Sequence, residues 1–332
     1  MTFVPTIEDD FSSDEPFALA SGEVLPRIKQ RYAIYGELNA EKSNAVLIFH
    51  ALTGSARIHE WWTDLIGAGC ALDTNKFAFV CVNALGSCYG STSGNEINSV
   101  VTTRDIVRAQ KKLFEHLNIE KFRACVGGSV GGMLAMQFAA DFPEAVERCV
   151  PIGATPLSAM GLALNHLQRA ALKYENGIVL ARQIAMLSYK SKELFNQRFS
   201  RNPNRNGENP FQSLEHRFDV SGYLDYHGEK FTERFDAQTY RLLSKAMDLF
   251  DLTDKEIKRI KANVSLVGIS TDWLFPAADV RFLATRMKSL GVAAEYIEMI
   301  SDDGHDAFLS DTGTMSEVLK KVLATNYTNV HE

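Results

Sequence analysis

The sequence Cys125-Val-Gly-Gly-Ser-Val-Gly-Gly-Met133 decides the fold, because it contains the pattern G-x-S-x-G with Ser129 at its centre. A short apolar run at 122–126 leads into it, and a helical pattern at 130–142 follows it and stops before Pro143. Where a strand turns sharply into a helix, larger side chains two residues from the serine would collide with the neighbouring strand and helix. The segment therefore predicts a strand, a strained turn that exposes the Ser129 hydroxyl, and a helix.

Outside this segment, short apolar runs alternate with helical patterns along most of the chain. Residues 30–35 alternate polar and apolar side chains, as a half-buried strand does. Several other runs are apolar throughout, which suits strands covered on both faces of a parallel sheet. The predicted strands lie at 30–35, 45–49, 77–82, 122–126, 148–152, 264–269 and 294–300, and the predicted helices at 103–117, 130–142, 276–290 and 313–324. This alternation predicts an α/β protein with a doubly wound, mostly parallel sheet, preceded by a loose arm at 1–25.

The alternation breaks in the middle of the chain, where only helical periods occur. These helical stretches lie at 157–175, 177–199, 211–226 and 236–248, and a loop rich in Asn, Pro and Gly separates the second from the third. A helical block inserted into an α/β chain is typical of a lid. We therefore predict a core domain formed by residues 1–155 and 250–332, and a helical lid domain at 156–249.

A serine hydroxyl becomes a nucleophile only beside a general base. In the α/β-hydrolase fold the partners follow the serine in the order Asp or Glu, then His. Asp272 comes just after the apolar run at 264–269, and His305 lies between the last predicted strand and the last predicted helix. The acidic residues at 302–306 compete with Asp272, but they lie too close to His305 and follow no strand in the required order. We therefore predict a catalytic triad of Ser129, Asp272 and His305.

The oxyanion hole of this fold takes one amide from the residue after the nucleophile and one from a loop after an early strand. Val130 follows Ser129, and its amide opens a helix whose N-terminus favours developing negative charge. The loop at 49–54 follows the strand run at 45–49, and Leu52 is its candidate donor. His50 in the same loop is expected to brace the loop rather than to take part in catalysis.

Composition narrows the class of protein. The chain has 332 residues, a formal net charge of −6 and no basic stripe of the kind that duplex-binding proteins carry. Its five cysteines are an odd number without a C-x-x-C pair, so neither a disulfide framework nor a zinc site is indicated and no metal is expected. The N-terminal residues are acidic and lack the apolar region of a signal peptide, and no apolar run reaches the roughly 18 residues of a membrane span. We therefore expect a cytoplasmic protein that binds neither nucleic acid nor membrane.

Five segments together resemble one enzyme family: HALTG at 50–54, NALGSCYGST at 83–92, GGSVGGM at 127–133, YHGEKF at 226–231 and GHDAFL at 304–309. They are similar to the homoserine O-acetyltransferase family of α/β-hydrolase-fold enzymes, and the similarity runs from about residue 30 to about residue 325. The second and fourth segments are long and distinguish the family from generic esterases.

The resemblance implies a ping-pong reaction in which acetyl-CoA acetylates Ser129 and L-homoserine then accepts the acetyl group, with no permanently bound cofactor. It also implies that Arg169 holds the carboxylate of the amino acid, that Asp306 faces its ammonium group, and that Tyr226 contributes to the pocket. A homodimer is a further expectation from the family.

Several alternatives remain open at the level of sequence. The lid after residues 173–177 is shorter than in longer members of the family, so succinyl-CoA as donor or serine as acceptor is an alternative. The same triad would hydrolyse esters if water reached the acyl-enzyme. A non-enzymatic binding module of this fold is a third alternative, although such proteins usually lack a member of the triad.

Overall fold

A computed structural model describes residues 4–324 and places a large sheet at the centre of the molecule. The strands are β1 (Ile7–Ser13), β2 (Phe17–Ala18), β3 (Val24–Leu25), β4 (Ile28–Tyr35), β5 (Ala45–Phe49), β6 (Ile66–Gly67), β7 (Leu72–Asp73), β8 (Ala78–Val82), β9 (Ala124–Gly128), β10 (Arg148–Ile152), β11 (Asn263–Ile269) and β12 (Ala294–Met299). Eight of them form the central sheet in the order β1-β4-β8-β5-β9-β10-β11-β12. The pairs β1–β4 and β4–β8 are antiparallel, and every other neighbouring pair is parallel.

Helices cover the sheet and connect its strands. They are α1 (Ile58–Trp61), α2 (Thr103–His116), α3 (Val130–Asp141), α4 (Ala159–Ala171), α5 (Gly177–Tyr189), α6 (Lys192–Arg198), α7 (Asp219–Phe231), α8 (Ala237–Asp248), α9 (Asp254–Ile257), α10 (Ala277–Ser289), α11 (Ala307–Ser310) and α12 (Thr312–Ala324), with 3-10 turns at Gly94–Glu96 and Gly304–Asp306. The α/β-hydrolase fold predicted from the sequence is thereby confirmed. None of these helices, all within residues 4–324, is long and apolar enough to cross a membrane.

The central strands are buried on both faces, which explains their uniformly apolar sequences. In β5, Ala45, Leu47 and Phe49 pack into the core on one side of the sheet, together with apolar side chains of α2, α3 and α10. Val46 and Ile48 alternate with them and pack into the core on the other side, together with side chains of α1 and α12. Because side chains alternate along a strand, a strand between two helical layers buries every residue.

The strand order brings three loops to one edge of the sheet. The strands β9, β10, β11 and β12 are consecutive and parallel, so their carboxyl ends lie at the same edge. Ser129 directly follows β9, Asp272 follows β11, and His305 follows β12. The helices α4 to α8 all come from the chain between β10 and β11.

The sequence predicted the strands of the sheet closely, but three regions differ. Residues 1–25, predicted as a loose arm, contain β1, which pairs along its whole length with β4. The single predicted helix at 177–199 is two helices. The helix α5 ends at Tyr189 with Lys190 as its C-cap, and Ser191 caps α6, its hydroxyl accepting a hydrogen bond from the amide of Leu194 at 3.0 Å. The helix predicted at 211–226 is α7, which begins later, at Asp219.

Candidate active site

Ser129 occupies a backbone conformation that L-residues rarely adopt, with φ at 58° and ψ at −126°. The glycines around it are required by space. A Cβ atom at residue 127 would clash with the backbone of Gly131, and one at residue 131 would clash with the carbonyl of Phe49. The strand, the strained turn and the helix therefore lie as the G-x-S-x-G pattern predicts. The turn presents the serine side chain at the carboxyl edge of the sheet.

His305 and Asp272 form a buried pair beneath this turn. Nδ1 of His305 lies 2.6 Å from Oδ2 of Asp272, and the other oxygen of Asp272 accepts hydrogen bonds from the amides of Leu274 and Phe275, both at 2.9 Å. Since a carboxylate only accepts, Nδ1 carries the proton and Nε2 is left free to act as a base. Burial lowers the pKa of His305, but the charge and the hydrogen bond of Asp272 raise it more, so that the net shift is upward.

Ser129 and His305 both line one cavity of about 490 Å³. No hydrogen bond among residues 4–324 involves the Ser129 hydroxyl. Hydrogen bonds of catalytic groups are often long or poorly aligned before substrate binds, so this geometry is compatible with a nucleophile and its base. The cavity walls come from the loop after β5, from α5, and from the loop that carries His305.

Two backbone amides are placed to stabilise an oxyanion. Val130 is the first residue of α3, and the amides of a helix's first turn have no partner within the helix. Leu52 lines the cavity from the loop after β5. Neither amide donates a hydrogen bond to another described residue, so both can donate to a negatively charged oxygen near Ser129.

His50 braces that loop, as the sequence suggested. Its Nε2 lies 3.0 Å from the amide of Ala84, which can only donate, so Nε2 is unprotonated. Nδ1 therefore carries the proton and donates to the carbonyl of Ala51 at 2.8 Å. Burial lowers the pKa of His50, which keeps the ring neutral in this arrangement.

Arg169, expected to hold the substrate carboxylate, is not among the residues that line the cavity. It projects from α4 toward α8, where its guanidinium forms an ion pair with Asp248 and donates to the carbonyl of Ser244 at 3.2 Å. The physical reason is that α4 packs on α8, so an arginine on the contacting face of α4 lies next to the carboxylate of Asp248 on α8. This position differs from the one that the sequence led us to expect.

Arg182 on α5 lines the cavity instead, together with Ser129 and His305. Its guanidinium lies 4.9 Å from the ring centre of Phe231 and 5.7 Å from that of Tyr189, and no carboxylate of the described residues pairs with it. The sequence carried a signal for this residue, since Arg182 is the one charged side chain in the thirteen residues of α5. An arginine that lines a cavity without a carboxylate partner can bind a carboxylate through two hydrogen bonds.

Of the other two predicted pocket residues, the structure brings one to the cavity. Asp306 lines it, and its Oδ2 lies 2.9 Å from Nζ of Lys190, while Oδ1 accepts no hydrogen bond from the described residues. Tyr226 is exposed on α7, does not line the cavity, and its hydroxyl accepts a hydrogen bond from Lys230 at 3.2 Å. The side chain of Tyr226 is exposed because α7 packs on α5 through other side chains.

Comparison with known proteins identifies the family and the fold of the chain. Residues 44–312 match the family model described as the alpha/beta hydrolase fold. A homoserine O-acetyltransferase of Methanobrevibacter ruminantium is 36% identical over 95% of this chain and 73% of its own length, and one of Deferribacter desulfuricans is 36% identical over 98% and 96%. The crystal structure of homoserine O-acetyltransferase from Staphylococcus aureus is similar with a TM-score of 0.82 and 27% identity over 97% of each chain. Esterase E22 is similar in fold, with a TM-score of 0.87 at 22% identity over 96% of this chain and 99% of that chain.

Proposed function

This chain belongs to the homoserine O-acetyltransferase family of the α/β-hydrolase fold, and from that premise we propose that it transfers an acetyl group from acetyl-CoA to the hydroxyl of L-homoserine. Ser129 is the proposed nucleophile, His305 the general base and acid, and Asp272 the residue that orients His305. The product, O-acetyl-L-homoserine, is an activated form of homoserine used in methionine biosynthesis.

The proposed reaction has two half-reactions with the same chemistry. Nε2 of His305 takes the proton of Ser129 as its Oγ bonds to the acetyl carbon, and the amides of Leu52 and Val130 stabilise the oxyanion. The carbon–sulfur bond then breaks, and the thiol of CoA leaves with the proton that His305 returns. In the second half-reaction His305 deprotonates the homoserine hydroxyl, which attacks the acyl carbon. The bond between this carbon and Oγ of Ser129 then breaks, and His305 returns the proton to Oγ.

The unpaired guanidinium of Arg182 is the observation that carries the choice of acceptor. A half-buried arginine in the cavity of the nucleophile is costly without a counter-charge, and a planar guanidinium binds a carboxylate through two parallel hydrogen bonds. Asp306 supports the same choice, because its free Oδ1 can accept a hydrogen bond from an ammonium group. We therefore propose that Arg182 and Asp306 hold the two charged groups of the amino acid, so that its side-chain hydroxyl reaches Ser129.

Free thiol release tests the proposal directly. The purified protein is incubated with acetyl-CoA or succinyl-CoA, each paired with L-homoserine or L-serine. Fast release only with acetyl-CoA and L-homoserine supports the proposed function. Preference for serine or succinyl-CoA would preserve the mechanism but change the acceptor or donor, and equal release without any amino acid would make water the acceptor.

A matched pair of variants separates the chemistry from the fold. If Ser129 carries the acyl group, Ser129→Ala abolishes thiol release. If the protein were only a binding module, the same substitution would leave ligand binding unchanged. Ser310→Ala removes a hydroxyl of α11, which donates to the carboxylate of Asp303 and to the carbonyl of Asp306. It serves as the control for loss of one serine hydroxyl near the site.

Four further properties are part of the proposal: the division into domains, the location, the oligomeric state and the absence of a metal. Residues 1–155 and 250–332 form the core domain and residues 156–249 the lid domain. The protein is proposed to be cytoplasmic, which is supported by its five free cysteines, because unpaired thiols are typical of a reducing compartment. It is also proposed to act as a homodimer. No bound metal is proposed, so activity should persist in EDTA.

A further inference from the structure

We propose that Arg234, at the mouth of the cavity, binds a phosphate group of the CoA donor. The inference rests on the proposed function, because it requires a donor that carries phosphates. It assigns the two arginines of the cavity different anions: Arg182 the carboxylate of the acceptor, and Arg234 the nucleotide part of the donor.

The two arginines differ in depth. Arg182 is half-buried, whereas Arg234 is exposed, although both line the cavity that Ser129 also lines. Neither has a carboxylate of the described residues within ion-pairing distance. A small acceptor must lie entirely inside, but the nucleotide of CoA must remain outside while its thioester reaches Ser129. An unpaired cation at the opening is therefore suited to the part of the donor that stays at the surface.

Arg234 is held in place without using its whole guanidinium. Nη1 donates to the carbonyl of Thr53 at 2.8 Å and to the hydroxyl of Tyr89 at 3.0 Å, and the group lies 5.1 Å from the ring centre of Phe231. Nε and Nη2 donate to no described residue. These two nitrogens present the fork of donors that matches two oxygens of a phosphate.

Tyr89 adds a second indication, because it is strained. Its φ is 72°, and its carbonyl accepts a hydrogen bond from Nδ2 of Asn83 at 2.5 Å. Its ring packs on Phe235 with a centroid distance of 6.3 Å. A non-glycine residue keeps such a conformation only where its surroundings enforce it, and such residues cluster at ligand sites. In this conformation the Tyr89 hydroxyl accepts a hydrogen bond from Arg234 and so helps to hold the guanidinium in place.

The contact with Thr53 connects this position to the chemistry. Thr53 directly follows Leu52, the proposed oxyanion donor, so the cation is attached to the same loop that receives the acyl carbonyl. A phosphate bound by Arg234 and a carbonyl bound by Leu52 would therefore belong to the two ends of one extended donor. The structure thus assigns Arg234 to donor recognition rather than to the acyl-transfer step itself.

A series of donors tests this assignment. Initial rates are measured with acetyl-CoA and with acetylpantetheine, which has the same thioester but no phosphate. We expect Arg234→Ala to raise KM for acetyl-CoA about 10- to 100-fold, the usual effect of losing a charge-assisted hydrogen bond, and to change kcat/KM for acetylpantetheine far less. Arg234→Gln keeps a donor for Thr53 and Tyr89 but removes the charge, and it should show the same selective loss. The matched control is Arg281→Ala, which removes an exposed arginine of α10 that forms an ion pair with Glu298 of β12.

The outcomes separate this inference from the proposed function. Equal losses with both donors in Arg234→Ala and Arg234→Gln, or no loss with either, would overturn the inference. Calorimetric binding of free CoA and of pantetheine to the wild-type protein and to Arg234→Gln gives a readout that does not depend on turnover. If the wild-type protein bound CoA through Arg234 but released thiol without homoserine, the inference would stand and the acceptor would be wrong. If the wild-type protein did not bind CoA, both would fail.

Discussion

His305 is buried, and burial alone lowers the pKa of an imidazole because the charged form loses its hydration. Asp272 reverses this effect, and the pKa of His305 lies above its ordinary value of 6.5. A general base must be neutral, so turnover should rise with pH through a midpoint above 6.5. The same shift stabilises the folded protein at pH values below the ordinary pKa, and that contribution is lost as pH rises through the raised pKa.

Asp272→Asn is the variant that tests this account. It removes the charge that raises the pKa, so the burial effect should bring the midpoint of the His305 titration below 6.5. Turnover should fall by about 10⁴-fold, because the imidazole also loses the partner that fixes its tautomer. The titration is followed by NMR of the His305 ring and turnover by thiol release. An unchanged midpoint would mean that Asp272 does not control His305.

Arg169 and Arg182 provide a second prediction at the scale of the residue. Arg182→Ala should raise KM for L-homoserine by about 10- to 100-fold, because a carboxylate loses a charge-assisted partner. Arg169→Ala should leave that KM nearly unchanged and lower stability, because Asp248 loses its partner in a largely buried pair. Steady-state kinetics and thermal unfolding of both variants check the two effects. If Arg169→Ala changed KM and Arg182→Ala did not, the assignment from the sequence would be restored.

These two arginines also show why the site was only partly predictable. The triad follows from chain order and strand ends, which are local properties of the sequence. The direction of an arginine on a lid helix depends on which helix packs against it, and packing between distant segments leaves no local pattern. The isolated charge in α5 is visible in the sequence, but only the structure shows that it lines the same cavity as Ser129.

At the scale of the element, the junction of α5 and α6 connects the lid to the catalytic loop. Ser191 accepts a hydrogen bond from Leu194 as the cap of α6, and its hydroxyl also donates to the carbonyl of Asp302. A Cβ atom at residue 304 would lie 2.5 Å from the amide of Ser191, so glycine permits this close approach. Lys190 adds the ion pair with Asp306. The junction therefore fixes the loop on which His305 lies.

Ser191→Ala should affect both stability and turnover. The loss of the cap costs about 1 kcal/mol, and the loss of the bond to Asp302 should loosen the His305 loop and lower kcat. Ser158→Ala is the matched control, because Ser158 caps α4 by accepting from the amide of Gly161 and has no bond to the catalytic loop. Thermal unfolding, kcat and hydrogen exchange of residues 301–309 are compared. Equal loss of kcat in both variants would argue against the connection.

The sequence anticipated most elements of the sheet, and its errors have common physical causes. The strands β5 and β8 are apolar because both faces are covered, so their composition alone identifies them. The strand β1 is at the edge, and its acidic residues pair with basic residues of β4 rather than with a core, as Asp10 does with Arg31 at 2.5 Å. A polar edge strand held by its partner carries little signal of its own.

At the scale of the whole molecule, the apolar surface is concentrated on the lid. Exposed large apolar side chains occur along α4 and α5, at Met160, Leu162, Leu167, Leu180 and Leu187. A soluble monomer rarely exposes several such side chains on neighbouring helices, whereas an interface between copies would bury them. Arg182 lies on α5, which packs against α4. An interface at these helices would therefore restrain the helix that carries this proposed acceptor-binding residue.

The proposed homodimer can be tested through this surface. Leu167→Glu combined with Leu187→Glu places a charge on each helix, and it should convert a dimer into a monomer because a buried unpaired carboxylate is costly. Phe282→Glu changes an exposed apolar side chain on α10, outside the lid, and should leave the mass unchanged. Light scattering at micromolar concentration gives the mass of each protein. A wild-type monomer would exclude the dimer, and a dimer that survives the double substitution would place the interface elsewhere. If the double variant is monomeric and KM for L-homoserine rises, the interface supports Arg182 through α5.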